Sequence, residues 1–221
     1  MNTNFKNKVL RPTKDNFKLA AKCIEDGGVI VAPSDTNLAL TLNPWNTKAI
    51  ERAFSIKNRP ANSPLTLFFT NPNDWKKYAS SENEKLVQLL VDKFWPGPLN
   101  FILKKKNTVP ERMVCGGDTI AMSCLSNPVW RELMEELSIP VTMTSANLSG
   151  QAEGILVDLH VALQQVGEHV DYILQGEAQG TTKSSTIIDL TGTPQITRLG
   201  DISAEQIQEV IDILPEVTPV K

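Results

Sequence analysis

Apolar residues Phe17, Ala20, Ala21 and Ile24 recur at helical spacing, so the first regular element is an amphipathic helix with one face turned to a core. Asp26, Gly27 and Gly28 stop it, and the unbroken apolar run at 29–33 then reads as a buried strand. A second helix follows at 47–56 with Ile50, Ala53 and Phe54 inward, then a strand at 65–69. "ENEKLVQLLVDKF" is a third amphipathic helix, ended by Pro96 and Pro98, after which "LNFILKK" is a strand. "DTIAMS" is strand-like, Asn127 and Pro128 supply an N-cap and first-turn proline for "VWRELMEEL", and "PVTM" is again a strand. "TSANLSG" at 144–150 has no periodicity and reads as a polar loop. Asp158 caps a helix through Val166, "DYILQ" and "TIIDL" are strands, and Ser203 with Gln206 forms a capping box for "AEQIQEVIDIL", which Pro215 ends. Strands and helices interleave without an internal repeat, which predicts one α/β domain.

Composition narrows the classes. The 221 residues are 41% hydrophobic, enough for a single core, and the net charge of -3 provides no global basic field to recruit nucleic acid. Cys23, Cys115 and Cys124 are odd in number and unpaired in pattern, as expected for small buried hydrophobes of a reducing compartment. The amino terminus carries no apolar signal region and no segment has membrane-spanning length, so a cytoplasmic protein is expected. His160 and His169 have no nearby partners with which to bind a metal, and read as solvated or packed. The common nucleotide-loop, metalloprotease and nucleophile-elbow motifs are absent.

What remains is a set of polar clusters at the ends of predicted strands: "PSDTN", "KNRP", "TSANLSG", "KSSTIID" and "RLG". Loops at strand ends are where α/β folds place ligands. In an extended, proline-restricted segment Lys57 and Arg59 point to one side and can grip one anion such as a polyphosphate; the alternative is a solvated basic loop. Thr144, Ser145, Ser149 and Asn147 offer hydroxyls and an amide for phosphate or ribose, or for a plain turn. Ser184 and Ser185 either bind ligand or stabilise a strand edge.

In order and spacing, "PSDTNLAL", "KNRPANSPL", "FWPGPLNFIL", "TSANLSG", "SSTIID" and "RLG" resemble the YrdC-like family of threonylcarbamoyl-adenylate synthases over residues 10–214, leaving 215–221 as a tail. The family pattern runs P-T-[DE]-T-x-Y-G-L, K-x-R-P-x-x-x-P-L, W-P-G-P-x-T, V-A-x-R-x-P, T-S-A-N-x-S-G, S-T-[IV]-[IV]-D and R-x-G. The resemblance implies a single α/β domain, a twisted mixed sheet with flanking helices and a concave ligand cleft. It implies ATP, bicarbonate and L-threonine as substrates, magnesium arriving with the nucleotide, and a product that feeds N6-threonylcarbamoyladenosine modification of tRNA.

Carried over by position, Lys57, Arg59, Ser145, Asn147, Ser185 and Arg198 fall on the nucleotide half of the site. Lys57 and Arg59, with Arg198, are then the electrostatic stabilisers of the transferring phosphate, and Asp35 assists through the hydration shell of magnesium. The amino-acid half departs from the pattern. Ser34, Leu38 and Ala39 stand for the family's Thr, Tyr and Gly, Thr36 keeps its type, and Asn62 replaces a frequent histidine. Ser123 stands where an arginine grips the substrate carboxylate, a contact worth roughly 1.5–3 kcal/mol. Lys104, Lys105, Lys106 and Lys183 are the candidate substitutes, against the reading of a solvated lysine run. The sequence therefore predicts a divergent paralogue that makes a carbamoyl-adenylate from threonine or another amine. The alternative is a non-catalytic module that binds AMP, ATP or double-stranded RNA, the last only weakly given the net charge. A relative charged by carbamoyl phosphate is a third reading, expected only beside further domains.

Overall fold

The computed structural model describes residues 5, 7–60, 62–151, 156–177 and 181–214. The elements are β1 (Val9–Leu10), α1 (Lys14–Glu25), β2 (Ile30–Pro33), β3 (Leu38–Leu42), α2 (Thr47–Lys57), β4 (Thr66–Phe68), α3 (Trp75–Tyr78), β5 (Ala79–Ser80), α4 (Glu84–Phe94), β6 (Leu99–Lys105), β7 (Thr119–Ser123), α5 (Pro128–Glu135), β8 (Val141–Ser145), α6 (Leu159–Gln165), β9 (Ile173–Leu174), β10 (Thr186–Asp189), β11 (Gln195–Arg198) and α7 (Ala204–Ile211). The strands form one mixed sheet in the order β1-β9-β2-β3-β8-β4-β7-β6-β10-β11, with β5 paired to β6. No helix among the described residues is long and apolar enough to cross a membrane.

Polar side chains set the helix starts. Asn46, Asn83, Asn127 and Asp158 each accept a backbone N–H of the first turn, and Ser203 with Gln206 closes the predicted capping box. The two faces of the sheet are covered unequally. On one, α2, α4, α6 and α7 pack Ile50, Leu90, Ala162 and Ile207 into a continuous core with Phe101 and Met122. On the other, α1 and α5 bury Phe17, Ile24, Trp130 and Leu133 against Ile30, Ala32, Ala39 and Met143. That second cluster does not extend to β6 and β10, where the same face forms the floor of a cleft.

Trp95 anchors the start of β6. Its ring stacks on Phe101 at 4.5 Å between centroids and meets Phe69 edge-on at 5.6 Å, while its Nε1 donates to the Leu99 carbonyl at 2.6 Å. Such aromatic pairs contribute about 0.5–1.5 kcal/mol each beyond area burial. The Gly97 N–H donates to the Cys124 carbonyl at 2.8 Å, tying this corner to the end of β7.

Several expectations need correction. Lys57 is the last residue of α2 and Asn58, at φ 49°, turns the chain, so Lys57 and Arg59 do not sit on one extended segment. Proline restricts only the residue before it, which is Arg59, and the helix runs past Ile56. The stretch after "PSDTN" is not merely a polar cluster but leads into the wholly buried strand β3, and β1, β5 and β11 form strands where none was predicted. Of the cysteines only Cys124 is buried; Cys23 and Cys115 are half-buried, and all three are free thiols. His160 and His169 are exposed. Pro215 and the expected tail 215–221 lie outside the described residues.

Candidate functional site

Strand register builds the cleft floor. Ala39 pairs with Ser145, Thr66 with both Met143 and Ala121, and Asn100 with Ile187, so small, hydroxyl-bearing and apolar side chains from six strands share one face. They line a cavity of about 310 Å³, with Ser34, Thr36 and Asn37 on one wall, Arg59 and Thr144 on another, and Ser184, Ser185 and Arg198 at the far edge. None of the described residues that line it carries a carboxylate.

The wall at 34–37 is a turn closed by its own polar groups. Ser34 Oγ donates to the Asn37 carbonyl at 2.7 Å and accepts the Thr36 and Asn37 N–H groups at 3.2 and 3.0 Å. Asn37 Nδ2 then donates to Ser184 Oγ at 3.2 Å, joining this hairpin turn to the opposite edge of the cleft. Asp35 points away: its carboxylate accepts the N–H groups of Ser126 and Asn127 at the start of α5, so its oxygens do not line the cleft. Burial raises the Asp35 carboxyl, partly offset by those donors.

Both guanidiniums are held by carbonyls. Arg59 Nη2 donates to the Pro64 carbonyl at 3.0 Å and Nη1 lies 3.4 Å from Thr144 Oγ1, and Arg198 Nε donates to the Ser185 carbonyl at 2.8 Å. Burial lowers both from the usual arginine value, yet a guanidinium remains charged at any working pH. Lys57 stands behind the wall. Its Nζ donates to the carbonyls of Ser145 and Asn147, and it is 1% exposed. Burial first, and the Arg59 charge second, push its ammonium down to about 7.

Comparison with known proteins places these features. Residues 22–200 match the Sua5/YciO/YrdC family, described as "telomere recombination". This chain belongs to that family. It is 31% identical over 196 residues to the threonylcarbamoyl-AMP synthase of Pyrococcus abyssi, covering 88% of this chain and 57% of that protein. It is 32% identical over 192 residues to a putative threonylcarbamoyl-AMP synthase of Methanocaldococcus jannaschii, covering 84% of this chain and 88% of the relative. The structure of P. abyssi Sua5 complexed with L-threonine superposes with a TM-score of 0.86 at 27% identity, over 97% of this chain and 62% of that one. The E. coli YciO structure gives 0.76 at 30% identity, over 89% of this chain and 97% of that one. The chain thus spans little more than half the length of the P. abyssi relative and nearly all of YciO.

Within the Sua5/YciO/YrdC domain the predicted residues separate. Ser34, Thr36, Arg59, Ser145, Ser185 and Arg198 come together on the cleft. Lys57 and Asn147 do not line it; they brace the loop that follows β8, with Asn147 Nδ2 donating to the Leu148 carbonyl at 2.8 Å. Leu38 lines a separate cavity with Val129, Val157 and Gln175, because alternate residues of β3 face opposite sides. Asn62 is exposed in a shallow hollow beside Arg112 and Cys115, away from the cleft. Ser123 is fully buried and its Oγ donates to the Leu99 carbonyl at 3.0 Å. Lys104 and Lys105 pair with Glu82 and Glu111, and none of Lys104, Lys105, Lys106 or Lys183 lines the cleft.

Sequence reasoning passed over Asn100. Its signal was its place at the end of "WPGPLN", where the family pattern ends in threonine. It lines the cleft at 6% exposure, and its Oδ1 is buried without a hydrogen-bond partner. An unsatisfied buried amide oxygen costs about 1–3 kcal/mol.

Proposed function

We propose that this chain is an adenylate-forming enzyme that joins ATP, bicarbonate and an amine, releasing pyrophosphate and a carbamoyl-adenylate. The observation that carries this reading is the pairing of two guanidiniums, Arg59 and Arg198, across a hydroxyl-lined cleft with no carboxylate among its described lining residues. Such a cleft suits a polyphosphate and would repel nothing anionic. The names of the relatives support the same reaction class, with L-threonine as the first amine to test.

The chemistry balances without a protein nucleophile. Bicarbonate gives carbon dioxide and hydroxide, the amine nitrogen adds to the carbon of carbon dioxide, and the proton it loses combines with the hydroxide as water, leaving a carbamate. A carbamate oxygen then attacks the α-phosphorus of ATP, and the bond to the β-phosphate bridging oxygen breaks to release pyrophosphate. Arg59 and Arg198 stabilise charge on the phosphates, while Ser145, Thr144 and Ser185 orient them by hydrogen bonds. Lys57 and Asn147 act one layer back, by fixing the loop that presents Ser145. Magnesium would arrive with the nucleotide, held by its phosphates and water, and would supply charge screening there. Among the described residues no acidic group lines the cleft and no three His, Cys, Asp or Glu side chains converge as a metal cage, which fits this mode.

A second reading has one observation in its favour: Ser123 is buried and spent on a backbone carbonyl, and no lysine replaces the absent arginine in the cleft. A module that binds ATP or AMP without turnover fits that floor. Double-stranded RNA is less favoured, since Lys76, Lys77, Lys104 and Lys105 each face a carboxylate. A cytoplasmic setting suits the free thiols and an adenylate destined for tRNA modification. Pyrophosphate release from ATP with magnesium, bicarbonate and a panel of amines decides between them. Release with any amine supports the synthase, and silence with nucleotide still bound overturns it in favour of the module.

A further inference from the structure

Asn37, on the turn at 34–37, and Ser184, at the far edge, line the cleft and are used by no step above. The Asn37 amide can face only one way. Its Oδ1 accepts the Val157 N–H at 2.8 Å, and because a backbone nitrogen only donates, Nδ2 must be the end that meets the hydroxyls. Nδ2 donates to Thr36 Oγ1 at 3.1 Å and to Ser184 Oγ at 3.2 Å, a hydroxyl for each of its hydrogens. The amide is thus fully engaged. A hydroxyl that accepts from an amide has to aim its own proton elsewhere. Its neighbours in the same segment do so inside the protein: Thr181 Oγ1 donates to the Asp35 carbonyl at 2.8 Å, Thr182 Oγ1 to Asp201 at 2.6 Å, and Thr186 Oγ1 to the Ile202 carbonyl at 2.6 Å. Ser184 is the exception. It is half-buried on the cleft, and no described residue accepts its proton.

We propose that Asn37 is a positioning residue that fixes the Ser184 hydroxyl as a donor to an oxyanion of the ligand, a phosphate or a carboxylate, at the Arg198 edge of the cleft. Asn37 occupies one acceptor side of Ser184 Oγ, which leaves the hydroxyl proton to be placed on something that enters the cleft. Charge points the same way. Arg198 lines the same edge with its Nε spent on the Ser185 carbonyl, while its Nη1 and Nη2 donate to no described residue. A group that offers only acceptors answers the hydroxyl and the guanidinium together, and the bonds are charge-assisted. A cationic or hydrogen-donating group would leave the Ser184 proton unanswered and meet the charge of Arg198. Because Asn37 also holds Thr36 and Val157, the hydroxyl is aimed before the ligand arrives, which spares part of the ordering cost of binding. The inference rests on the proposed function only in placing the ligand in this cleft.

Calorimetry of the full chain with two ligand pairs tests it, AMP against adenosine and L-threonine against L-threoninol, since each pair differs in the anion. Asn37→Ala lets the Ser184 hydroxyl rotate, and is expected to weaken AMP about five- to ten-fold while adenosine changes by less than about two-fold. The same selective loss for threonine over threoninol assigns the oxyanion to a carboxylate instead of a phosphate. A wall that merely loosened would weaken both members of a pair alike. Ser184→Ala leaves the bond from Val157 to Asn37 in place and removes the donor itself; it should show the same selectivity, and it decides alone if Asn37→Ala fails to fold by thermal melting. Equal losses within each pair, no loss in either, or a wild type that binds neither AMP nor threonine would each overturn the proposal. Pyrophosphate release by the wild type keeps the two questions apart. Release, with variants that keep wild-type affinity for all four ligands, overturns this inference and retains the synthase, whereas selective loss of the anion with no release from any amine does the reverse.

Discussion

The Lys57 ammonium donates to the main-chain carbonyl of Asn147 at 2.7 Å, and all of its hydrogen-bond partners are oxygens of Ser145 and Asn147, none of them a carboxylate. A buried cation held only by neutral oxygens is a weak acid brought near neutrality. Its folded value is about 7, against the ordinary lysine value of 10.5. Between these limits the unfolded chain holds more protons than the folded one, so this group makes stability rise with pH across that window and level off below it. Urea midpoints measured from about pH 7 to pH 9 should climb in the wild type and lose that slope in Lys57→Met. A slope that persists in the variant would assign the effect to another group.

Anionic ligand should reverse this depression. Phosphates held at Arg59 place negative charge near Lys57, which favours the ammonium. Nucleotide binding near pH 8 is therefore expected to take up as much as about one proton, and little well below pH 7. Calorimetry in buffers of differing ionisation enthalpy reads the proton count directly. Uptake unchanged in Lys57→Met would refute the assignment.

Arg59→Ala and Arg198→Ala should each weaken ATP about ten- to a hundred-fold, the loss expected for one charge-assisted contact. Lysine at either place should restore only part of it, because a point charge does not reproduce the planar fork. The stability cost should differ. Arg59 ties down the carbonyls of Ser63 and Pro64 whereas Arg198 holds that of Ser185 alone, so removal of Arg59 should lower the melting temperature more.

Gly200 explains the last motif. A Cβ there would come within 2.3 Å of the Ser184 carbonyl oxygen and 2.6 Å of the Thr186 nitrogen, both backbone atoms that cannot swing aside. Gly200→Ala should push the segment bearing Ser185 away from Arg198, lowering both melting temperature and nucleotide affinity. A variant that melts normally yet binds ATP poorly would confine the effect to the cleft, and one that binds normally would contradict it.

Much of this was legible beforehand because helices announce themselves through period and caps. The faces of α1, α2 and α4 followed from apolar spacing, and Asn127, Asp158, Ser203 and Gln206 cap as expected. β3 was missed because it follows a polar turn directly, so its five buried residues were absorbed into a motif. Lys57 was placed on an extended segment because the influence of Pro60 was carried too far back; Asn58 in the left-handed region takes up the turn instead. Lining residues were harder. Whether Leu38, Asn62 or Ser123 reaches the cleft depends on strand parity and on what lies across the sheet, which no local pattern encodes. Asn100 reaches the cleft floor through the β6–β10 register, which sets it beside Ile187.

The link from Asn37 to Ser184 spans 147 positions of the chain. One wall of the site is therefore made early in synthesis and the other only when the last strands emerge. A nascent chain that has passed Ser145 already carries Arg59 and most of the floor, yet lacks the edge that Ser185 and Arg198 supply. The cleft is closed on both sides only once residue 198 has been made.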